Sequence, residues 1–254
     1  MKLIEADGKK ILKEAGISVP SNCLPQDVKE FPVYLKAQLL HGRRGQRGLV
    51  RRCANIDELE LAVKDMTSIL KDTPYSGFIC EKEIDHKEQW LVAMDIDRAT
   101  GKIRISFSDE GGMGVEKAQS VTISSKDEIG NLDLPSCVRE TLEKMYSAFQ
   151  KNDALHLEIN PLALLPDGSC VALDAKIELD DAAVFRHPEW SSFSNLADNA
   201  RILSEREEAY ARLQTEAGHR GTLGRYVELD GDIALILSGG GASLVAMDAL
   251  KRAG

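Results

Sequence analysis

The chain has 254 residues, of which 43% are hydrophobic and 29% are charged, and its net charge is −9. This length suffices for one large domain or two smaller ones, and the composition is that of an ordinary globular protein. The acidic balance argues against a general nucleic-acid surface, and no apolar run approaches the roughly 18 residues of a membrane span. The charged N-terminus lacks the apolar core of a signal peptide. The composition therefore predicts a cytoplasmic protein that binds neither nucleic acid nor membrane.

The five cysteines are scattered, odd in number and without a C-x-x-C pair. This pattern favours neither disulfides nor a zinc site. The five histidines likewise show no metal-ligand spacing.

The first part of the chain predicts helices at residues 6–14 and 56–66 and a strand at residues 31–40. Gly16 ends the first helix, and Asp57 is a possible N-cap of the second. Lys36 lies on the polar face of the strand, whose apolar face is formed by Val33, Leu35, Ala37 and Leu39.

A loop rich in glycine and arginine, HGRRGQRG, follows this strand at residues 41–48. Arg43, Arg44 and Gly45 offer positive charge and exposed backbone donors to a polyphosphate, with Lys36 just upstream. The loop is not a Walker motif, because GxxxxGK[ST] is absent. A solvated basic loop is the alternative, although three arginines on glycine hinges in an acidic protein favour phosphate.

The middle of the chain predicts strands at residues 78–80, 89–95 and 103–107, the last two joined by the turn ATGK. An acidic segment that includes Glu81, Glu83 and Glu88 either holds ribose hydroxyls or faces water, and water is favoured. The sequence EGGMGVE at residues 110–116 predicts a turn whose glycines permit close backbone contact.

Residues 155–176 predict a hairpin that arranges oxygen ligands for a metal. Apolar and polar residues alternate on both arms, and Pro166-Asp167-Gly168 supplies the turn. If the loop centres on Asp167, Asn160 faces Asp174 and Glu158 faces Lys176. A carboxylate and an amide oxygen suit Mg²⁺ shared with nucleotide phosphates. A solvated face with a Glu158–Lys176 salt bridge is the alternative.

The last part predicts helices within residues 132–150 and at 195–213, then a strand at 232–237, the turn SGGGAS and a helix at 244–252. The start of that last helix, near Gly240, Gly241 and Ala242, is a candidate anion site because its N–H groups are unpaired. Glycines that serve only a tight turn are the alternative. A lone βα unit cannot cover both faces of a sheet, so the chain is expected to be a truncated product or a subunit completed by a partner. A final strand added to the main sheet is the other possibility.

In this order, several segments resemble the β chain of succinyl-CoA synthetase and the related part of ATP-citrate lyase. They are KAQLLHGRRGQRGLV, EKEIDHKEQWLVAMDIDR, EGGMGVE, LEINPLALLPDG, LDAK followed by FRHP, and LILSGGGAS. The resemblance implies an α/β (α+β) chain with an ATP-grasp fold of two lobes at residues 1–222. It also implies that residues 223–254 begin a flavodoxin-like CoA-ligase domain that is incomplete here.

By resemblance, each candidate residue acquires a role. Lys36, Arg43, Arg44 and Gly45 would contact ATP phosphates, Glu81 and Glu83 would form the adenine-side hinge, and Glu88 would approach the ribose. Asn160 and Asp174 would hold Mg²⁺, and Glu158 would orient the histidine that is phosphorylated. The helix start at Gly240, Gly241 and Ala242 would face that phosphorylated histidine at the other site.

The resemblance implies an ATP-dependent acid–CoA ligase subunit. Mg-ATP would phosphorylate a histidine of an α-type partner chain, which would also bind most of the coenzyme A, and a small carboxylic acid would then receive the phosphate. Two alternatives remain: a stand-alone ATP-grasp ligase, and a non-catalytic nucleotide-sensing subunit.

Overall fold

The structure is a computed structural model that describes residues 1–40, 42, 44–71, 73–111, 118–194, 204–216, 226–228, 233–237 and 241–253. The chain divides into two compact units, Met1–Ala200 and Arg201–Gly254. The domain boundary expected between residues 222 and 223 stays a prediction. Among the described helices, none has the length and apolarity needed to cross a membrane.

A four-stranded antiparallel sheet forms the first part of unit Met1–Ala200, with strand order β1-β4-β2-β3. Its elements are β1 (Asn22–Cys23), β2 (Val33–Ala37), β3 (Val50–Cys53), α2 (Ile56–Ile69) and β4 (Phe78–Lys82). The predicted apolar face of β2 is confirmed, because Val33, Leu35, Ala37 and Leu39 are buried with Leu59, Ala62 and Met66 of α2.

The N-cap of α2 differs from the prediction. Asn55, not Asp57, precedes the helix, and its side chain accepts a hydrogen bond from the Glu58 N–H at 3.0 Å. Glu58 in turn accepts one from the Ala54 N–H at 2.8 Å. These side chains satisfy backbone donors that the helix itself leaves unpaired.

A six-stranded antiparallel sheet forms the larger part of the unit, in the order β10-β8-β5-β6-β7 with β9 paired to β8. Its strands are β5 (Glu88–Asp97), β6 (Lys102–Ser108), β7 (Gln119–Ile123), β8 (Ala154–Leu164), β9 (Cys170–Ala172) and β10 (Lys176–Leu179). Two helices, α1 (Glu5–Glu14) and α3 (Ser136–Lys151), contribute to the same core. Leu157 and Ile159 of β8 point into it, so the alternating residues of that strand lie on the opposite face.

A disulfide joins Cys137, near the start of α3, to Cys170 on β9, which contradicts the expectation that disulfides are not favoured. The packing of α3 against the hairpin brings the two Cα atoms to 5.7 Å, within the range that a disulfide spans. Since the two cysteines are 33 positions apart in the sequence, no local pattern pointed to the pair.

Unit Arg201–Gly254 contains α4 (Glu205–Glu216) and α5 (Gly241–Ala253). The helix predicted at residues 244–252 is confirmed as α5, which begins earlier, at Gly241. Residues 233–237, which the structure describes, form no strand. An extended segment needs a neighbouring strand to pair its backbone groups, and no such strand lies in the described part of this unit.

Candidate functional site

The hairpin of β8 with β9 and β10 has the predicted register. Glu158 pairs with Lys176, Leu162 pairs with Ala172, and the Leu173 N–H donates to the Pro161 carbonyl at 3.0 Å. Gly168 has the positive φ, 85°, that the turn requires. This register places Asn160 and Asp174 at facing positions on neighbouring chain segments.

Asp174 already has a cationic partner. Its Oδ1 lies 2.6 Å from Arg44 Nη2 and also accepts a hydrogen bond from the Ala175 N–H at 2.7 Å. The Asp174 side chain keeps 35% of its surface exposed, so a hard cation can still approach it. Asn160 Nδ2 lies 3.4 Å from Glu158 Oε1, and the amide oxygen is therefore on the other side of the carboxamide.

One carboxylate and one amide oxygen form an incomplete metal site by themselves. Among the described residues, no group of three or more His, Cys, Asp or Glu side chains is arranged to hold a metal ion. The pair fits Mg²⁺, which takes few protein ligands and completes its shell with phosphate oxygens and water. The metal assignment of Asn160 and Asp174 stays a prediction.

Lys36 lies in a buried charge cluster beneath this hairpin. The cluster consists of three cations and three carboxylates: Glu5, Lys9, Lys36, Arg44, Glu81 and Asp174. Lys36 Nζ contacts Glu5 Oε1 at 2.9 Å and Glu81 Oε2 at 2.7 Å, and it donates to the Leu173 carbonyl at 2.6 Å. Lys9 Nζ lies 2.7 Å from the same Glu5 oxygen and 2.5 Å from Glu81 Oε1. Glu5 and Lys9 of α1 thus cover Lys36 on the polar face of β2, and Lys36 is buried rather than exposed.

Arg44 links this cluster to the hairpin. Its Nη1 lies 2.6 Å from Glu5 Oε2 and donates to the Ala37 carbonyl at 3.0 Å, while Nη2 contacts Asp174. Arg44 is buried, whereas Gly45 beside it is exposed. Arg43, also predicted to bind phosphate, lies outside the described residues.

Opposing charges set the protonation states in the cluster. Burial would raise the pKa of Glu5, but Lys36, Arg44 and Lys9 outweigh it and hold the pKa well below its ordinary value. Burial would lower the pKa of Lys36, but Glu5 and Glu81 outweigh it and raise the pKa. Burial would likewise lower the pKa of Arg44, but Glu5 and Asp174 outweigh it and raise the pKa. All three groups are therefore ionised at neutral pH.

The three acidic residues predicted on the nucleotide side have different surroundings. Glu81 is buried in the cluster, so the expectation that this acidic segment faces water is wrong for it. Glu83 is partly exposed and binds Arg52 through two hydrogen bonds of 2.8 Å. Glu88, at the start of β5, is exposed and accepts a hydrogen bond from Trp90 Nε1 at 3.2 Å.

Glu158 belongs to a row of polar side chains that sequence reasoning did not assemble. His156 Nε2 lies 3.2 Å from Glu158 Oε2, and His156 Nδ1 lies 2.7 Å from Asp95 Oδ1 on β5. Lys176 Nζ is 3.6 Å from Glu158 Oε2, so the salt bridge considered as the alternative is present. The hydrogen bond from His156 lowers the pKa of Glu158.

Sequence reasoning missed Glu5 and Lys9, and it did not connect Asp95 and His156 with Glu158. A signal existed for the first pair, since Glu5 and Lys9 are one helical turn apart on α1. The position of His156 two residues before Glu158 was the signal for the second group, because alternate residues of a strand share a face. Neither signal reveals which element lies opposite.

The predicted anion site at the start of α5 is described only in part. The helix begins at Gly241, with Ala242 as its second residue, and Gly240 lies outside the described residues. The binding role of these residues stays a prediction.

Comparisons with known proteins give a consistent result. A model of the ATP-grasp domain family matches residues 2–129. The chain is 31% identical over 291 residues to the β subunit of the ADP-forming succinate–CoA ligase of Aquifex aeolicus, and 32% identical over 289 residues to that of a Hydrogenobaculum species. Both matches cover the whole of this chain and 72% of the relative.

Solved structures show the same fold. The ATP citrate lyase of Methanothrix soehngenii, solved with citrate and coenzyme A, has a TM-score of 0.74 at 23% identity, covering 99% of this chain and 68% of that one. The dinucleotide-forming acetyl-coenzyme A synthetase 1 of Ca. Korarchaeum cryptofilum has a TM-score of 0.60 at 16% identity. The match covers 70% of this chain and 93% of that one.

Proposed function

The chain belongs to the ATP-grasp family and, within it, to the β subunits of acid–CoA ligases, and we propose that it carries out the nucleotide-dependent phosphorylation of a histidine on a partner chain. It is the ATP-grasp subunit of an ATP-dependent acid–CoA ligase. A β subunit implies an α subunit, which in this proposal carries the histidine and binds most of the coenzyme A. We further propose that residues 1–222 form the ATP-grasp domain and that residues 223–254 belong to a CoA-ligase domain.

The observation that supports this proposal best is the contact between Arg44 and Asp174 beside Lys36. A triphosphate has the charge to take the place of Asp174 as partner of Arg44, with Lys36 close by, and Asp174 is then released for a cation. Exposed Gly45 would supply a backbone donor at the phosphate, and Arg43, two residues earlier in the sequence, would add positive charge. Asn160 and Asp174 would hold Mg²⁺, which when bound neutralises phosphate charge.

The remaining residues prepare the two reacting groups. In the proposal, Glu81 and Glu83 border the adenine, and Glu88 lies near the ribose. Glu158 accepts a hydrogen bond from one nitrogen of the partner's imidazole, so the other nitrogen keeps its lone pair for the γ-phosphorus. A bond between that nitrogen and phosphorus forms as the bond from phosphorus to the bridging oxygen breaks, and ADP leaves with the electron pair. The Glu158 carboxylate offsets the positive charge that the imidazole ring acquires.

The later steps pass the phosphate from the histidine to a small carboxylic acid and then replace it with coenzyme A. The helix start at Gly240, Gly241 and Ala242 would receive the phosphorylated histidine there, because unpaired N–H groups at a helix start favour an anion.

The experiment that tests the proposal is transfer of labelled γ-phosphate from ATP to the partner chain. Asp174→Ala removes the one carboxylate proposed for the metal, and we expect transfer to fall by at least about 100-fold, as loss of several kcal/mol of charge stabilisation implies. Asp167→Asn, in the turn of the same hairpin, is the matched control and should transfer normally.

Transfer at the normal rate by Asp174→Ala would overturn the metal assignment. Acid-dependent ATP turnover by the isolated chain without a partner would instead favour a stand-alone ligase.

A further inference from the structure

His156 occupies a defined place between two carboxylates on the polar face of the six-stranded sheet. It lies on β8, with Asp95 directly opposite on β5 and Glu158 two residues further along its own strand. Its side chain is 20% exposed, and those of Asp95 and Glu158 are 30% and 20% exposed. The three side chains are therefore mostly buried, and each keeps part of its surface in contact with solvent.

Both ring nitrogens of His156 face carboxylate oxygens. A carboxylate oxygen accepts a hydrogen bond and cannot donate one, whereas a neutral imidazole has a single N–H. Two hydrogen bonds at once, 2.7 Å to Asp95 and 3.2 Å to Glu158, therefore require the imidazolium. Burial alone would lower the pKa of His156, but the hydrogen bonds to Asp95 and Glu158 outweigh it and raise the pKa to about 9.

The charges around His156 are mixed. In the register of the sheet, Arg104 on β6 stands opposite Asp95, and Glu178 on β10 stands opposite His156 itself. A cleft of about 800 Å³ opens beside them, and its charged lining also includes Lys2, Asp97, Arg98 and Lys176. Asp95 and His156 themselves line this cleft, which is large enough for a peptide loop or a small molecule.

We propose that His156 is a positioning residue for Glu158, which it holds in one orientation for the incoming histidine of the partner chain. This inference rests on the proposed function, because it assigns a support to the residue that would contact that histidine. With Oε2 bound by His156 and Oε1 next to Asn160, rotation of the carboxylate is restricted on both sides. Asp95 fixes the imidazolium in turn, so the row runs from β5 through His156 to the reacting group.

Support of this kind has a characteristic consequence. Hydrogen-bonded partners behind metal-binding side chains typically contribute about 10- to 100-fold to activity, and we expect an effect of the same order here. His156 makes no contact with Lys36, Arg44 or Asp174 among its hydrogen bonds and ion pairs. Its loss should therefore lower kcat for phosphoryl transfer and leave the KM for ATP unchanged.

The first arm of the test is independent of the reaction. Long-range ¹H–¹⁵N correlation spectra of the full chain, with His156 assigned from His156→Gln, follow its protonation from pH 5 to pH 10. We expect a doubly protonated ring at pH 7.5 and a midpoint near pH 9. Asp95→Asn should lower this midpoint by at least about one unit. Glu178→Gln, which removes a carboxylate from the same face without a hydrogen bond to His156, is the matched control and should change it less.

The second arm uses the chain assembled with its partner. His156→Gln should lower kcat by about 10-fold or more at pH 7.5, with the KM for ATP within about twofold of the wild type. The wild type should lose rate as the pH passes 9, and His156→Gln should lack this alkaline decline. A residue with only a structural role would change thermal stability and leave the shape of the pH profile unchanged.

The outcomes separate this inference from the function on which it rests. A His156 midpoint near 6.5, or a His156→Gln complex with normal kcat and a normal pH profile while Glu158→Gln is inactive, would overturn the positioning role alone. Absence of transfer by the wild-type complex would overturn the proposed function, and the spectra would still decide whether His156 is held as described.

Discussion

At the level of single residues, the composition of the buried charge cluster explains how Lys9, Lys36 and Arg44 remain charged in a protein interior. An unpaired buried charge is strongly unfavourable. Lys9, Lys36 and Arg44 are balanced by Glu5, Glu81 and Asp174, with contacts between 2.5 and 2.9 Å. Glu5 is the centre of this arrangement because it touches all three cations.

Replacement of Glu5 by Gln should therefore be strongly destabilising. The change leaves three buried cations with two carboxylates, and breaking a buried ion pair by removing one partner costs about 3–5 kcal/mol. Denaturant unfolding of the full chain measures this loss. Glu30→Gln is the matched control, because Glu30 and Lys82 make an ion pair of 2.7 Å that is largely exposed and should leave the midpoint almost unchanged.

The pH dependence of stability gives a second readout of the same substitution. The pKa of Glu5 is lowered by folding from its ordinary value of 4.5. Its contribution is thus fully present above pH 4.5 and is lost as the pH falls below that value. Glu5→Gln should flatten this acid limb, and an unchanged limb with an unchanged midpoint at pH 7 would contradict the role given to Glu5.

At the level of elements, the hairpin was predictable because two local signals agree. Alternation along β8 decides which residues face the core, and the turn at Pro166-Asp167-Gly168 sets the register. The register in turn brings Asn160 opposite Asp174. Little tertiary information is needed for this part of the candidate site.

Other features depend on packing between distant segments and were missed for that reason. The burial of Lys36 requires α1 to lie over the polar face of β2, and the Cys137–Cys170 disulfide requires α3 to lie against β9. The row from Asp95 to Glu158 requires β5 and β8 to be neighbours. Each depends on a contact between segments far apart in the chain, and one sequence carries no direct signal of that contact.

The glycines after β6 were expected to permit close backbone contact, and Gly111 does so. Its N–H donates to the Gln89 carbonyl at 2.8 Å, and a Cβ added at Gly111 would lie 2.8 Å from the Gln89 carbonyl carbon. Gly111→Ala should therefore displace the backbone beside β5 and cost about 1–3 kcal/mol in the free energy of unfolding. Gly130→Ala, where an added Cβ meets no atom within 4 Å, is the control and should be neutral or slightly stabilising.

At the level of the whole molecule, the residues proposed for the nucleotide and the helix start proposed to receive the phosphorylated histidine in the later steps belong to different units. Lys36, Arg44, Asn160 and Asp174 lie in Met1–Ala200, whereas Gly241 and Ala242 lie in Arg201–Gly254. The proposed phosphorylation of the histidine draws only on the first unit. In this proposal the second unit takes part in the later steps.

This division predicts that residues 1–200 fold without the rest of the chain. The described buried residues of both hydrophobic core clusters lie between Leu3 and Trp190, so removing residues 201–254 takes away none of these described members. We expect the fragment 1–200 to unfold in one cooperative transition, at the same denaturant midpoint as the corresponding transition of the full chain. The fragment 1–164 is the control, since it lacks β9, β10 and the buried Ala172, Ile177 and Leu179 and should not fold. A non-cooperative transition of the 1–200 fragment would show that its core depends on the second unit, and the assignment of the nucleotide site to the first unit alone would then be wrong.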